Sequence, residues 1–415
     1  MCERCSCSEA GLYVAHFRQE IALLVAALGL NRGVLKRRPL PKRELRLTSA
    51  QEGAISHRGK PLILIGGPGS GKTTVLIEAA ISRINAGQDP DSILLLTFGR
   101  ERASELRDAI ALHTSETMLE PLARTFHALA YSILKAEGHN PILLSGPEQE
   151  GWIRQLVDGV EWPKELQPAL HTRGFVRELR DLILRATERG WTPEDLNSNG
   201  KKLKEDFWVA ASKFWSSYIG TLIFADADHG EPKERLDSAQ LVWRAANVTR
   251  SAFKNQFKTI LVDEFQESDK AQRALLSNIA VNDLVIAVDP YSTVGRFRGA
   301  DPEGLDQALA IYLESGDQLH FADNFRASTH VHLFLETVSG HFPKPPKSQG
   351  SIGKIAGSVT VECFIDASNE AAFIADKLQR AHLENGLKWS EMAVIFRSPA
   401  QSSSVRSALM RYGIP

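Results

Sequence analysis

Short apolar runs recur in the chain, most of them leading into a stretch with helical spacing. "PLILI" at 61–65 precedes a glycine-rich turn and a helix after Lys72, and "SILLLTF" at 92–98 precedes the polar helix "RERASELRDAIAL". The rhythm returns with "KTILVDEF" at 258–265 and "LVIAVD" at 284–289. Apolar runs this short, separated by helices of about 10 to 15 residues, predict strands buried on both faces of a parallel sheet with crossover helices. The expected fold is a doubly wound α/β sheet.

Between about 145 and 235 the strand rhythm stops, and helical periodicity takes over with five of the chain's seven tryptophans, Trp152, Trp162, Trp191, Trp208 and Trp215. This predicts a helical insertion whose indoles pack its own core. Residues 342–358, "FPKPPKSQGSIGKIAGS", read as an interdomain connection or mobile loop. Beyond them "VTVECF", a helix near 369–385, "MAVIFRS" and a last helix predict the start of a second α/β unit.

Composition adds few constraints. At 415 residues and 43% hydrophobic the chain is long enough for two or three domains. With 49 basic and 50 acidic residues the net charge is -1, so a nucleic-acid partner must be argued from local patches. Residues 31–46 hold seven basic residues against Glu44, and read as a solvated linker or as an arm touching phosphate. The apolar run "IALLVAALGL" at 21–30 is about half of a bilayer span and reads as a soluble helix, with no membrane association expected. No cleavage pattern follows it, which favours the cytoplasm. Cys2, Cys5 and Cys7 crowd the start with no histidine before His16, short of the four ligands of a zinc or iron–sulfur site, and read as a reduced terminus.

The candidate chemistry begins at "GGPGSGKTT", residues 66–74. Gly66, Gly71, Lys72 and Thr73 fit G-x-x-x-x-G-K-[ST], the P-loop, with Gly67, Pro68, Gly69, Ser70 and Thr74 completing the turn. Glycines let main-chain N–H groups curl around phosphate oxygens, and the helix N-terminus adds positive charge. Lys72 would reach the β and γ phosphates and Thr73 would ligate Mg2+. Such a loop needs a carboxylate at a neighbouring strand end. "ILVDEFQ" supplies Asp263 for the metal and Glu264 to orient and deprotonate the attacking water. Alone, the two carboxylates would read as a solvated turn; the P-loop changes that reading.

In order along the chain stand "LTSAQEGAI", "GGPGSGKTT", "LLLTFGRERASELRDAI", "ARTFHALAYSIL", "VDEFQESDKAQRALL", "VDPYSTVGRFRGADPE" and "ADNFRAST". These seven stretches resemble the Q motif and motifs I, Ia, Ib, II, III and IV of the UvrD/Rep/PcrA family of superfamily 1 DNA helicases. Motifs Ia and Ib with the basic lead-in are most similar to actinobacterial AdnA-type subunits of recombination helicase–nucleases. The resemblance implies a RecA-like lobe 1A from residues 47–144 and 236–330, a helical insertion 1B at 145–235, a linker at 331–358 and the start of lobe 2A at 359–415, after an N-terminal extension at 1–46. It implies ATP and Mg2+ as cofactors, with Gln51 on the adenine edge, Gln266 of motif II at the nucleotide, Phe325 stacking on adenine and Arg326 as the arginine finger. Asn324 would shape the turn that carries them. Phe98, Thr125, Phe126, His127 and Phe297 would meet single-stranded DNA, where ring faces grip bases without reading sequence. Each phenylalanine also reads as an ordinary core residue, Phe126 as readily as not.

Two departures qualify the resemblance. Family members read D-x-D-Q-S-I-Y in motif III, whereas Ser292 replaces the glutamine and Gly295 the aromatic. A serine cannot span what a glutamine does without a water. The chain also stops before motifs V and VI, so the expectation is the N-terminal portion of a motor that does not translocate alone. The function implied is an ATP-dependent, 3′ to 5′ DNA helicase or translocase acting on single strands or single/double-strand junctions in repair or recombination in a bacterial cytoplasm, with a second helicase–nuclease subunit as a possible partner. The rival reading is a non-catalytic nucleotide- and DNA-binding subunit. A GTPase or small-molecule kinase is disfavoured because no N-K-x-D guanine signature is present.

Overall fold

The computed structural model describes residues 45–113, 122–224, 234–248, 256–342, 350–352 and 355–415. The N-terminal cysteines, the apolar run at 21–30 and nearly all of the basic segment lie outside the described residues.

Thr48 caps helix α1 (Ser49–Ser56), and its capping-box partner is Gln51. Strand β1 (Leu62–Gly66) runs through the glycine-rich turn into α2 (Lys72–Asn85), and β2 (Ile93–Thr97) into α3 (Arg100–Ala111). After β3 (Ala123–Thr125) and α4 (Phe126–Ala136), β4 (Pro141–Leu143) leads to the helices α5 (Gly146–Leu156), α6 (Arg173–Glu188), α7 (Pro193–Leu203) and α8 (Asp206–Phe224). Strand β5 (Glu234–Leu236) pairs in parallel with β4, closing this helical unit at its base. The chain then returns through α9 (Ser238–Asn247), β6 (Thr259–Val262), α10 (Lys270–Ile279), β7 (Asp283–Val288), α11 (Leu305–Leu313) and β8 (Asp317–Phe321).

One six-stranded sheet results, in the order β3-β2-β6-β7-β1-β8, with every pairing parallel. Its central strands are apolar on both faces because helices cover both. Ile63, Leu94, Ile260 and Ile286 belong to one core layer, while Leu62, Leu95, Leu261 and Val285 belong to the other. The predicted helical stretch has its own core around Trp162, Phe175, Phe214 and Trp215, with Trp152, Trp191 and Trp208 packed on its edge. The tryptophans therefore do the packing expected of them.

The segment expected to be a connection or mobile loop is tied down where it is described. After the two-residue strand β9 (Asp323–Asn324) and α12 (Thr329–Ser339), β10 (Gly350–Ser351) pairs in parallel with β9. Ile352 N donates to Asn324 O (3.0 Å), and Thr329 N donates to Ile355 O (3.1 Å). The last part holds α13 (Ala367–Asn385) and α14 (Ser402–Arg411), which share a small core of Ala371, Ala375, Val405 and Ala408. "VTVECF" and "MAVIFRS" form no strand, against the expectation of two. A strand exists only through its neighbours' N–H and C=O groups. No described residue supplies them here, and Ile395 stays 93% exposed.

Candidate functional site: a P-loop cleft beside a basic cleft

The glycine-rich turn leaves β1 at its carboxyl end and holds its shape with its own atoms. Gly69 and Gly71 have φ of 81° and 87°, the left-handed region open to glycine. A Cβ on Gly69 would sit 2.6 Å from Asn324 Oδ1, and one on Gly71 2.5 Å from Gln51 Nε2. Ser70 Oγ donates to Gly67 O at 2.8 Å, and Lys72 Nζ donates to Gly66 O (2.6 Å) and Gly67 O (3.0 Å). Burial lowers the pKa of this ammonium, and Asp289, Glu264 and Asp263 oppose the shift. The first turn of α2 thus presents free N–H groups and a lysine to one concavity.

The carboxylates arrive from the ends of the next strands. Asp263 follows β6 and is fully buried, with both oxygens 3.1 Å from Thr73 Oγ1. Burial first, and Glu264 second, push its pKa up. Glu264 itself has φ 56° and ψ 42°, a left-handed conformation that costs a non-glycine residue about 1–3 kcal/mol and recurs at functional sites. Asp289 follows β7 and is 3% exposed. Burial raises its pKa against the pull of Lys72.

Arg326 comes from the turn after β9. Asn324 Oδ1 accepts from the N–H groups of Arg326 and Ala327, both at 2.9 Å, and Phe325 N donates to Gly69 O at 2.9 Å. Asn324 shapes the turn as expected. Pro68, Gly69, Ser70, Gly71, Lys72, Thr73, Thr74, Glu264, Asp289, Ser292 and Arg326 line one cleft of about 370 Å³. Lys72, Glu264 and Arg326 therefore face the same space, with Asp263 against its floor through Thr73.

Two residues expected at the nucleotide lie one layer back. Gln51 is 4% exposed; its amide donates to Ser70 O (3.0 Å) while its oxygen accepts from Thr48 N (3.0 Å). Its side chain is committed to the helix cap and to bracing the loop, not to an adenine edge. Gln266 is fully buried. Its amide nitrogen donates to Glu264 Oε2 and, at 3.3 Å, to Ser292 Oγ, and its oxygen accepts from Asp289 N (2.9 Å). It ties the Glu264 carboxylate to the main chain of Asp289 from beneath the cleft. Phe325 is 38% exposed, leaving much of its surface accessible.

On the β2–β3 side of the sheet a second cleft, of about 570 Å³, is lined by Arg100, Arg107, Arg124, Thr125, His127 and Tyr131 among others. Thr125 Oγ1 caps α4 by accepting from Ala128 N at 3.2 Å. Burial, and then Arg100, lower the pKa of His127. The aromatic expectations divide. Phe126 is fully buried and stacks on Phe98 at 5.1 Å, so Phe126 cannot meet a base. Phe98 is half-buried against the same core. Phe297 is 72% exposed, with the Arg298 guanidinium 5.0 Å from its ring centre.

A model of the UvrD/REP helicase N-terminal domain matches residues 47–311. The chain belongs to the UvrD/REP helicase family. Among curated relatives, DNA helicase II of Escherichia coli K12 is 23% identical over 388 residues, covering 89% of this chain and 51% of that protein. The ATP-dependent DNA helicase PcrA of Staphylococcus epidermidis is 23% identical over 393 residues, covering 89% of this chain and 50% of that protein. The chain spans about half the length of the curated relatives it matches. No helix among the described residues is long and apolar enough to cross a membrane.

Within this family member, several residues at the clefts escaped the sequence reading. Arg102 lines the nucleotide cleft. Glu267 Oε1 accepts from Val294 N at 2.7 Å, and a Cβ on Gly295 would meet Glu267 Oε2. That glycine leaves room for Glu267 against the turn presenting Phe297. Arg100, Arg107 and Arg124 were visible as charges, but only the fold gathers them.

Proposed function

We propose that the chain forms the ATP-binding and ATP-hydrolysing lobe of a DNA helicase or translocase, together with part of its grip on single-stranded DNA or a single/double-strand junction. The observation that carries this reading is the convergence of Lys72, Thr73, Glu264, Asp289 and Arg326 on one cleft, with Asp263 bonded to Thr73. The donor set fits a hard divalent ion: a hydroxyl and a buried carboxylate whose oxygens lie 3.1 Å apart. Thr73 and Asp263 would hold Mg2+, which would neutralise charge on the β and γ phosphates. Lys72 and the first turn of α2 bind the phosphate chain. Glu264, held by Gln266, orients a water and takes its proton; Arg326 meets the charge that grows on the γ-phosphate. Phe325 offers a ring to the base. Polarity of 3′ to 5′, a role in repair or recombination, a bacterial cytoplasmic setting and a second helicase–nuclease subunit as partner complete the proposal, supported by family membership and by motifs Ia and Ib.

A second reading, a subunit that binds nucleotide and DNA without doing work, draws on Ser292, which receives a hydrogen bond from Gln266 where the family places a glutamine. ATP turnover with and without single-stranded DNA separates the two. For the protein carrying this chain, Lys72→Ala is expected to lose nucleotide binding. Glu264→Gln is expected to retain binding while hydrolysis falls about 10²- to 10⁴-fold. Turnover at the parent level in Glu264→Gln would remove Glu264 from the chemistry.

A further inference from the structure

Arg102 sits on the third position of α3, and its guanidinium reaches the two groups that would hold the divalent ion. Nη2 donates to Thr73 Oγ1 at 2.9 Å, and both Nη2 and Nε lie 3.4 Å from Asp263 Oδ2. On its other side Nη1 donates to Glu105 Oε2 at 2.9 Å, one helical turn along. Asp263 is fully buried, and a buried carboxylate without a partner is costly. The nearby ammonium of Lys72 is turned toward the carbonyls of Gly66 and Gly67. The side chains of Arg102 and Glu105 are 37% and 65% exposed, so water can solvate the guanidinium when it gives up Asp263.

We propose that Arg102 is a built-in competitor of the divalent cation: its guanidinium, which bonds Thr73, Asp263 and Glu105 together, gives up Thr73 and Asp263 to the metal and keeps Glu105. Two cations do not share a single carboxylate without repulsion, so metal binding and release of Arg102 are thermodynamically linked. Arg102 is thus a positioning residue that sets how much Mg2+ the site needs. The inference rests on the nucleotide-site reading above.

The test is the Mg2+ concentration that half-saturates binding of mant-labelled ADP to the full chain, which involves no turnover. Arg102→Ala is expected to lower that concentration about fivefold, a coupling of ordinary size, while ADP affinity in EDTA does not rise. Glu105→Gln, which removes the carboxylate that keeps the guanidinium once Asp263 is released, is expected to raise it. Both positions are on the surface of α3, and thermal unfolding verifies that the variants fold. A half-saturation point unchanged or raised in Arg102→Ala overturns the inference and leaves the nucleotide site standing. Failure of the parent chain to bind ADP with Mg2+ overturns both.

Discussion

Two clefts open at the carboxyl ends of one parallel sheet, and α3 forms a wall of both. Arg102 faces the nucleotide cleft, whereas Arg100, Ala103 and Arg107 face the basic one. The P-loop cleft is assembled from buried, bonded groups: Lys72 donates to the carbonyls of Gly66 and Gly67, Gln266 accepts from Asp289 N, and Asp263 accepts from Thr73. The basic cleft carries Arg100, Arg107 and Arg124 and leaves the Tyr131 ring 40% exposed; outside it, in the turn after β7, Phe297 is 72% exposed. One small ligand that must be cleaved needs fixed donors in a dry pocket. A polymer that must be gripped and released needs charge and ring faces that water can replace. Burial therefore sorts the aromatic residues better than motif position does.

The largest effect that would test this sorting is at Phe126. Phe126→Ala is expected to cost about 3–5 kcal/mol of stability in urea unfolding, as for other fully buried phenylalanines. A variant with parental stability and weakened single-strand binding would place the ring at the DNA and break the distinction.

How much of this could be read before folding depended on whether the signal was local. The P-loop was legible because its spacing, its strand and its helix lie within a few residues. The runs that became β1, β2, β6 and β7 were legible because both faces are covered. By contrast β3 has three residues, and β8 is an edge strand that keeps Asp317, Gln318 and His320 polar and largely in water, so neither carries an apolar run. For Gln51 and Gln266 the motif gives only a position, and it takes the fold to show that their amides bond Ser70 O and Glu264 behind the cleft surface. Arg102 reads as one more charge on a polar helix, since its partner Asp263 is 161 residues away. "VTVECF" and "MAVIFRS" have strand character, yet pairing is a property of neighbours.

At Phe297 the expected change is smaller and of another kind. Phe297→Ala should weaken single-stranded DNA binding by about 1–3 kcal/mol, in a titration followed by fluorescence anisotropy, at any base composition. The melting temperature should stay within a degree or so, because a ring 72% exposed has little burial to lose. A drop in stability without a change in affinity would move Phe297 to the structural side of the comparison.

The smallest effect is at Arg100, and it separates charge from contact. If its guanidinium neutralises one phosphate, Arg100→Ala should reduce the slope of log K against log salt by about 0.7 for a single strand, equally for all sequences. Arg100 also contributes, after burial, to the lowered pKa of His127. The same substitution should therefore raise the His127 pKa part of the way toward 6.5, measured by NMR titration of the ring, with burial keeping the remainder of the shift. A His127 pKa that rises with no change in salt slope would mean that Arg100 acts inside the protein alone. A salt slope that falls as expected puts the same charge at the phosphate backbone and makes the basic cleft part of the path of the strand.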